Sequence, residues 1–425
     1  MNMSELRQRI NNIDFNMLYC CKDEEKERFA GRFERLLDGF SDTFGGEGDI
    51  ELFSAPGRTE IGGNHTDHQH GAVVAGSLNL DVIGAVRVNN SNVIRIKSEG
   101  FPMDTVSLDS LAADGSEYGK SSGLIRGIAA CFAEKGYKIG GFDAYTTSNV
   151  LKGSGMSSSA AFEILVAVML NELFANGALS AVEMAKIGQY AENVYFGKPC
   201  GLLDQTACAS GGIVAMDFAD SKNPVVEKLD FDFAKTGYAL CIINTGADHA
   251  NLTGEYAAIT VEMKKVAEYF GKSFLNEVSE KEFFAELKNV RKAVGNDRAV
   301  LRAIHFLKET KRAKDEAAAL KKGDFDEFLR LVGESGRSSY MYLQNVFAAS
   351  MPESQAVSLA LALCDELLKG RGAFRVHGGG FAGTIQAFVP FGILEEFKNG
   401  IETVFGEGMC HILSIRGVGG IKIKV

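Results

Sequence analysis

The stretch from Ser157 to Ala175, SSSAAFEILVAVMLNELFA, constrains this chain more than any other segment. It reads most simply as a buried helix, and a helix that is apolar all round must be enclosed by other elements. Strand patterns lie on both sides of it. Residues 50–55 form a short strand running into Pro56-Gly57-Arg58, residues 72–98 hold consecutive strands, 141–152 returns to strand, and 212–246 hold at least two more. Helical spacing marks the first 40 residues (Phe29, Phe33, Leu36, Leu37), then 123–135, then roughly 181–196 behind a Ser180 cap. From about 255 to 370 nearly everything reads as helix, whereas 374–390 and 411–425 read as strand and 99–120 give only a weak pattern. Mixed strands with segregated helices predict an α+β protein rather than a regularly alternating parallel fold. The change from strand-rich to helix-rich sequence suggests two domains, 1–220 and 221–425, although no Pro/Ser-rich linker marks the cut.

Composition narrows the function. The 425 residues are 46% hydrophobic and 24% charged, the balance of an ordinary globular protein. Glycine is in excess, 48 residues against only 6 prolines, which points to places where backbone turns tightly or approaches a ligand. A formal net charge of -10 argues against nucleic-acid and anionic-membrane partners. The eight cysteines are scattered without a C-x-x-C pair, the start is polar, and no run of about 18 apolar residues occurs. Reduced thiols in the cytoplasm, and a monomer acting on small molecules, are the expectation.

The strongest local feature is Lys152-Gly153-Ser154-Gly155-Met156-Ser157-Ser158-Ser159-Ala160-Ala161. Glycines let backbone N–H groups turn inward, and the helix that follows offers free donors at its positive end, so together they suit phosphates. Serine hydroxyls add donors and can coordinate Mg²⁺. The competing reading is an exposed Ser/Gly loop that caps a helix. The segment is not a Walker A loop, because G-x-x-x-x-G-K-[ST] is absent, and no H-R-D or D-F-G follows it as in protein kinases.

Three further segments resemble a known family. Gly57-Arg58-Thr59-Glu60-Ile61-Gly62-Gly63-Asn64-His65-Thr66-Asp67-His68-Gln69-His70-Gly71 resembles the galactokinase signature. The serine-rich loop is similar to the second motif of the GHMP kinases, and Val376-His377-Gly378-Gly379-Gly380-Phe381-Ala382-Gly383 to their third. Lys198-Pro199-Cys200-Gly201-Leu202-Leu203-Asp204-Gln205 looks like the galactokinase segment that holds the active-site aspartate. The resemblance implies a ribosomal-protein-S5-like N-terminal domain and a ferredoxin-like C-terminal domain, with ATP and sugar meeting between them. It implies transfer of the γ-phosphoryl group of ATP to the anomeric hydroxyl of a sugar.

The resemblance also assigns roles. Asp204 corresponds to the carboxylate at the sugar O1, as general base or as electrostatic support, with Arg58 beside it to hold it ionised. The bland alternative for Asp204 is the N-cap of the helix that Gln205 begins. Gly153, Ser154, Gly155, Met156, Ser157, Ser158 and Ser159 would hold the nucleotide phosphates. Ser159 and Glu192 match the family's Mg²⁺ ligands, and a solvated helix face is the alternative for Glu192. Asn64, His65, Asp67, the Gly201 backbone, Tyr256 and Gly379 correspond to sugar-binding positions, Tyr256 more weakly because Ala257, Ala258 and Ile259 follow it. A zinc reading of His65, His68, His70 and Asp67 fits no familiar ligand spacing.

The chain departs from the commonest galactokinase pattern, G-R-V-N-L-I-G-E-H-T-D-Y. Asn64 replaces the glutamate that usually contacts the sugar C6 hydroxyl, Glu60 replaces an asparagine, and His68 replaces a tyrosine. Galactose is the expected substrate, with a C6-variant sugar (galacturonate, arabinose or N-acetylgalactosamine) as the competitor. The chain has no tryptophan, so any adenine contact made by Trp in relatives must come from another side chain. Other GHMP kinases lack the G-R-x-x-x-x-G-x-H-T-D segment. Non-catalytic sugar- and ATP-binding regulators lose residues of the serine loop, and here that loop is complete.

Overall fold

The computed structural model describes residues 1–151, 155–220, 222–247 and 252–425. Among the described residues twelve strands follow in chain order: β1 (Glu51–Gly62), β2 (Ala72–Val88), β3 (Val93–Ser98), β4 (Met103–Ser107), β5 (Phe142–Ser148), β6 (Ile213–Asp217), β7 (Val225–Leu229), β8 (Tyr238–Asn244), β9 (Ala373–Val376), β10 (Thr384–Pro390), β11 (Cys410–Leu413) and β12 (Ile421–Lys422). They form two sheets. The larger has the order β12-β1-β2-β5-β3-β4, with β6 on β2 and β7 on β6; the smaller is antiparallel with the order β11-β8-β10-β9. The protein is therefore α+β, as its sequence predicts, and its last strand returns to the first sheet by pairing Phe53 with Lys422.

The helix Ser158–Phe174 packs on β1 and β2 and against the helices Ser121–Glu134, Ala181–Tyr190 and Leu203–Ser210. Burial from Ala160 through Asn171, broken only at Phe162, explains its lack of an amphipathic pattern. The helix Lys26–Phe44 covers the other face of the sheet, turning Phe29, Phe33, Leu36, Leu37 and Phe40 onto Ile83 and Ala85.

The structure corrects the sequence reading of β1. The strand does not stop at Ala55 but runs on through Pro56 and Arg58 to Gly62, buried along nearly its whole length. Burial on both faces removes the alternation that would have revealed it. Proline is tolerated because the register shifts between Pro56 and Arg58, and a bulge needs no donor there. Gly57 sits at that bulge, where a Cβ would come within 2.9 Å of the Met156 carbonyl. Strand and Gly/Ser loop can approach this closely only because no side chain intervenes.

Asp81 on β2 ties distant segments together. Its fully buried carboxylate accepts from Arg32, from Ser54 Oγ at 2.5 Å, from the Tyr19 hydroxyl at 3.1 Å and from Arg416 at 3.2 Å. Burial by itself would raise this carboxyl, but Arg32 and Arg416 outweigh it and hold the group below its usual value. Its contribution is thus present above the ordinary aspartate range and is lost as pH falls through the depressed folded value. Asp81→Ala is expected to destabilise the fold by about 3–5 kcal/mol, because two guanidinium groups lose a buried partner. Urea unfolding at neutral pH measures the loss, and the gap between variant and wild type should narrow in strong acid.

Candidate active site

β1 delivers Arg58, Thr59 and Glu60 to the junction of the two sheets. Arg58 Nε donates to Asp204 Oδ1 at 2.7 Å, and its guanidinium also donates to the Gly155 carbonyl. Ser157, in the left-handed region at φ 54°, donates its hydroxyl to the other Asp204 oxygen. Residues 58, 155, 157 and 204, far apart in sequence, thereby form one hydrogen-bonded unit. Asp204 lies in the first turn of the helix Leu203–Ser210, and its own side chain makes no cap bond there. Arg58 is almost enclosed at 9% side-chain exposure while Asp204 keeps 35%, so the carboxylate can be reached from the cleft. Burial pushes the Asp204 carboxyl up, but the charge and hydrogen bond of Arg58, with Ser157, bring it below the usual carboxylate value. It is ionised at neutral pH.

After β1 the chain turns sharply. A Cβ on Gly63, at φ +86°, would lie 2.4 Å from the Ala72 carbonyl, and Thr66 Oγ1 closes the turn by donating to Gly63 O at 2.9 Å and Ala72 O at 2.7 Å. This brings Asp67 against Gly201, where a Cβ would fall 2.3 Å from Asp67 Oδ2. His65 Nε2 lies 2.9 Å from the Gly379 carbonyl, and burial pushes its imidazole down to about 4, so it is neutral. Tyr256 donates to Gly380 O at 2.8 Å, and its ring leaves no room for a side chain on Gly379. His65, Asp67, Gly201, Tyr256 and Gly379 thus line one region.

Asn64, expected to face the sugar, is instead fully buried. Its amide donates to Glu60 Oε1 at 2.8 Å and Gly378 O at 2.6 Å, and its oxygen accepts from Asn345 at 2.8 Å. Glu60 in turn accepts from Arg375 at 2.7 Å. Two of the departures from the common motif, Glu60 and Asn64, are therefore partners of each other.

The Gly/Ser loop divides its residues among several roles. Gly153 and Ser154 lie outside the described residues. Met156 buries its side chain in the core while its carbonyl accepts from the Arg58 N–H at 3.2 Å. Ser158 and Ser159 open onto a cavity of about 260 Å³ with Phe101, Leu124, Phe162 and Phe196, none of which the sequence had singled out. Their signal, isolated aromatics in a chain without tryptophan, was too weak to read. Glu192 is buried in the wide turn Ala191–Tyr195, where Lys198 Nζ approaches at 2.8 Å and Gln205 Nε2 at 2.9 Å. The same Gln205 amide reaches Glu163 at 2.9 Å. Burial, and after it the Glu192 charge, push the Glu163 carboxyl well above its usual value. Glu163 was missed because it sits inside the apolar helix.

The Glu60–Asn64 partnership has a measurable consequence. Asn64→Glu places a second carboxyl against Glu60 in a sealed site and is expected to cost about 3–5 kcal/mol. Combining it with Glu60→Asn should recover about 1–3 kcal/mol of that loss. Urea unfolding of both single variants and the double variant closes the cycle, and strict additivity would show that the two positions are independent.

Comparison with known proteins agrees with this geometry. Residues 123–212 match the GHMP kinases N terminal domain, and residues 38–88 match the galactokinase galactose-binding signature. A galactokinase of Streptomyces coelicolor is 30% identical over 368 residues, covering 86% of this chain and 91% of that protein. One from Clostridium tetani is 29% identical over 374 residues, covering 85% and 90%. The crystal structure of Lactococcus lactis galactokinase complexed with galactose superposes with a TM-score of 0.77 at 25% identity, covering 92% of this chain and 100% of that one. A mevalonate kinase structure, at 14% identity and a TM-score of 0.59, shares the fold. With the Arg58–Asp204 pair at its centre and these relatives spanning most of its length, the chain belongs to the galactokinase family of GHMP kinases, phosphotransferases that act on a sugar hydroxyl.

Proposed function

We infer that this protein transfers the γ-phosphoryl group of ATP to the anomeric hydroxyl of galactose, giving galactose 1-phosphate. The observation that carries the reading is the ionised, partly exposed Asp204 held by Arg58 and Ser157 beside the Asp67–Gly201 turn. Phosphoryl transfer needs positioning and charge stabilisation more than covalent help. A carboxylate whose proton affinity is lowered by Arg58 is a weak base, so Asp204 orients the sugar hydroxyl and supports its developing positive charge. His65, Asp67, the Gly201 backbone, Tyr256 and Gly379 would hold the sugar; Asn64 would shape that wall without touching it.

The phosphates would lie at the start of the helix Ser158–Phe174, held by the Gly/Ser loop that includes Gly153, Ser154 and Gly155. The base would enter the cavity lined by Phe101, Phe162 and Phe196, which stand in for tryptophan. Mg²⁺ would be held by the hard-oxygen donors Glu192 and Ser159 once Lys198 or Gln205 gives up the Glu192 oxygen it now holds. One Glu163 oxygen is buried without a partner, and Lys198 already supplies a cation to Glu192. When bound, the ion neutralises phosphate charge. Eight free thiols suit a cytoplasmic enzyme, and no helix among the described residues is long and apolar enough to cross a membrane.

A second reading, a sugar altered at C6, is favoured by one observation: the position that usually reads the C6 hydroxyl is sealed inside the protein. An ATP-consumption assay with Mg²⁺ against galactose, galactosamine, N-acetylgalactosamine, galacturonate, arabinose and glucose separates the two, with phosphorus NMR of the products. Galactose-dependent formation of a 1-phosphate is expected. A preference for arabinose or galacturonate of about tenfold in specificity constant overturns the galactose assignment. Asp204→Asn should retain ATP binding and lose turnover by about 10²–10⁴-fold. Turnover at the wild-type rate removes Asp204 from the site.

A further inference from the structure

A second cavity, of about 260 Å³, lies between the helix Lys26–Phe44 and the end of β5. Arg28, Arg32 and Arg35 line it from the helix, at spacings of four and three residues that place them on one face. Arg32 is committed to Asp81 and Tyr19. Arg28 and Arg35 are exposed and form no ion pair among the described residues. From β5 and the residue after it come Thr147, Ser148 and Asn149.

These groups are biased towards donation. Ser148 Oγ accepts from Val150 N at 3.1 Å, which leaves its hydroxyl proton free, and Asn149 Oδ1 accepts from Asp81 N at 2.7 Å, which leaves its amide N–H groups. Thr147 is only 9% exposed, yet its hydroxyl has no hydrogen-bond partner. A buried hydroxyl without a partner is destabilising, and an acceptor delivered by a ligand would remove that cost. Glu99 is the one carboxylate in the lining. A donor-rich recess with two unpaired guanidinium groups is unusual on a chain of net charge -10.

We propose that this recess is a binding site for a phosphate-bearing anion, separate from the nucleotide cavity. Planar guanidinium forks match phosphate oxygens two at a time, and the side-chain donors of β5 supply the remaining hydrogen bonds. The two cavities lie on opposite faces of one strand. Thr146 opens into the nucleotide cavity and Thr147 into this one, as strand alternation requires, and they meet at Glu99 and Ser148. The site does not depend on the phosphotransfer reading, since none of its arginines touches Arg58, Asp204 or the serine loop.

The test is calorimetric titration of the full chain with inorganic phosphate and, separately, with galactose 1-phosphate. Wild type, the double variant Arg28→Ala/Arg35→Ala and Glu99→Gln are compared. The double variant should weaken saturable binding by on the order of 100-fold, because two charge-assisted contacts are lost. Glu99→Gln should tighten it, a change that a folding defect does not produce. Arginine-dependent binding of inorganic phosphate identifies the free ion as sufficient, and arginine-dependent binding confined to galactose 1-phosphate identifies a phosphomonoester as the ligand. Galactose 1-phosphate binding that the double variant keeps is product binding beside Asp204 and overturns the site. No saturable binding of either, or a double variant within about threefold of wild type, overturns the site. Kinase activity plays no part in the readout, so its failure and this one are distinguishable.

Discussion

The buried pairing of Glu60 with Arg375 holds the two sheets in the one relation that makes a site possible. Arg375 is fully enclosed, donating to Glu60 from β9 and to the Ile61 carbonyl of β1. Burial lifts the Glu60 carboxyl above its usual value, and Arg375 pulls it back only in part. Such a pair adds little net stability, since desolvating both groups consumes most of the attraction, but losing one partner is costly. It therefore fixes geometry. Because β1 ends there, Asn64 reaches Gly378 and His65 reaches Gly379, and the glycine-rich turn of one sheet closes over the turn of the other.

Arg58 does similar work two residues earlier on the same strand. It binds the Asp204 carboxylate and the backbone of the Gly/Ser loop at Gly155. One guanidinium thus sets the distance between the carboxylate and the Gly/Ser loop. The Gly57 bulge makes this reach possible by letting the loop backbone sit against the strand.

Much of the site was legible in the sequence. Arg58, Asp204, Asp67, Gly201 and Gly379 belong to short motifs in which the chemistry needs particular residue types, and the fold brings them together. Where the signal depended on environment, the reading fell short. Asn64 was expected at the sugar, yet its amide is divided among Glu60, Gly378 and Asn345. Asn345 lies far along the chain in a helical region that gave no hint of it. Glu163 was hidden because a single acid in an apolar helix has no pattern of its own, and Phe101, Phe162 and Phe196 were scattered. The extent of β1 was missed because a strand buried on both faces has no period to detect.

The sequence by itself determined the α+β class, the apolar helix behind the anion loop and the types of residue available for phosphotransfer. These follow from periodicity and from motifs in which neighbours along the chain act together. Only the tertiary structure decided which polar groups are consumed by the protein and which face the cleft. Asn64 and Asp204 are both polar residues in segments that contain glycines, yet one is sealed and the other keeps 35% side-chain exposure. That difference arises from partners hundreds of residues away, and burial and hydrogen bonding are properties of the packed whole rather than of any segment.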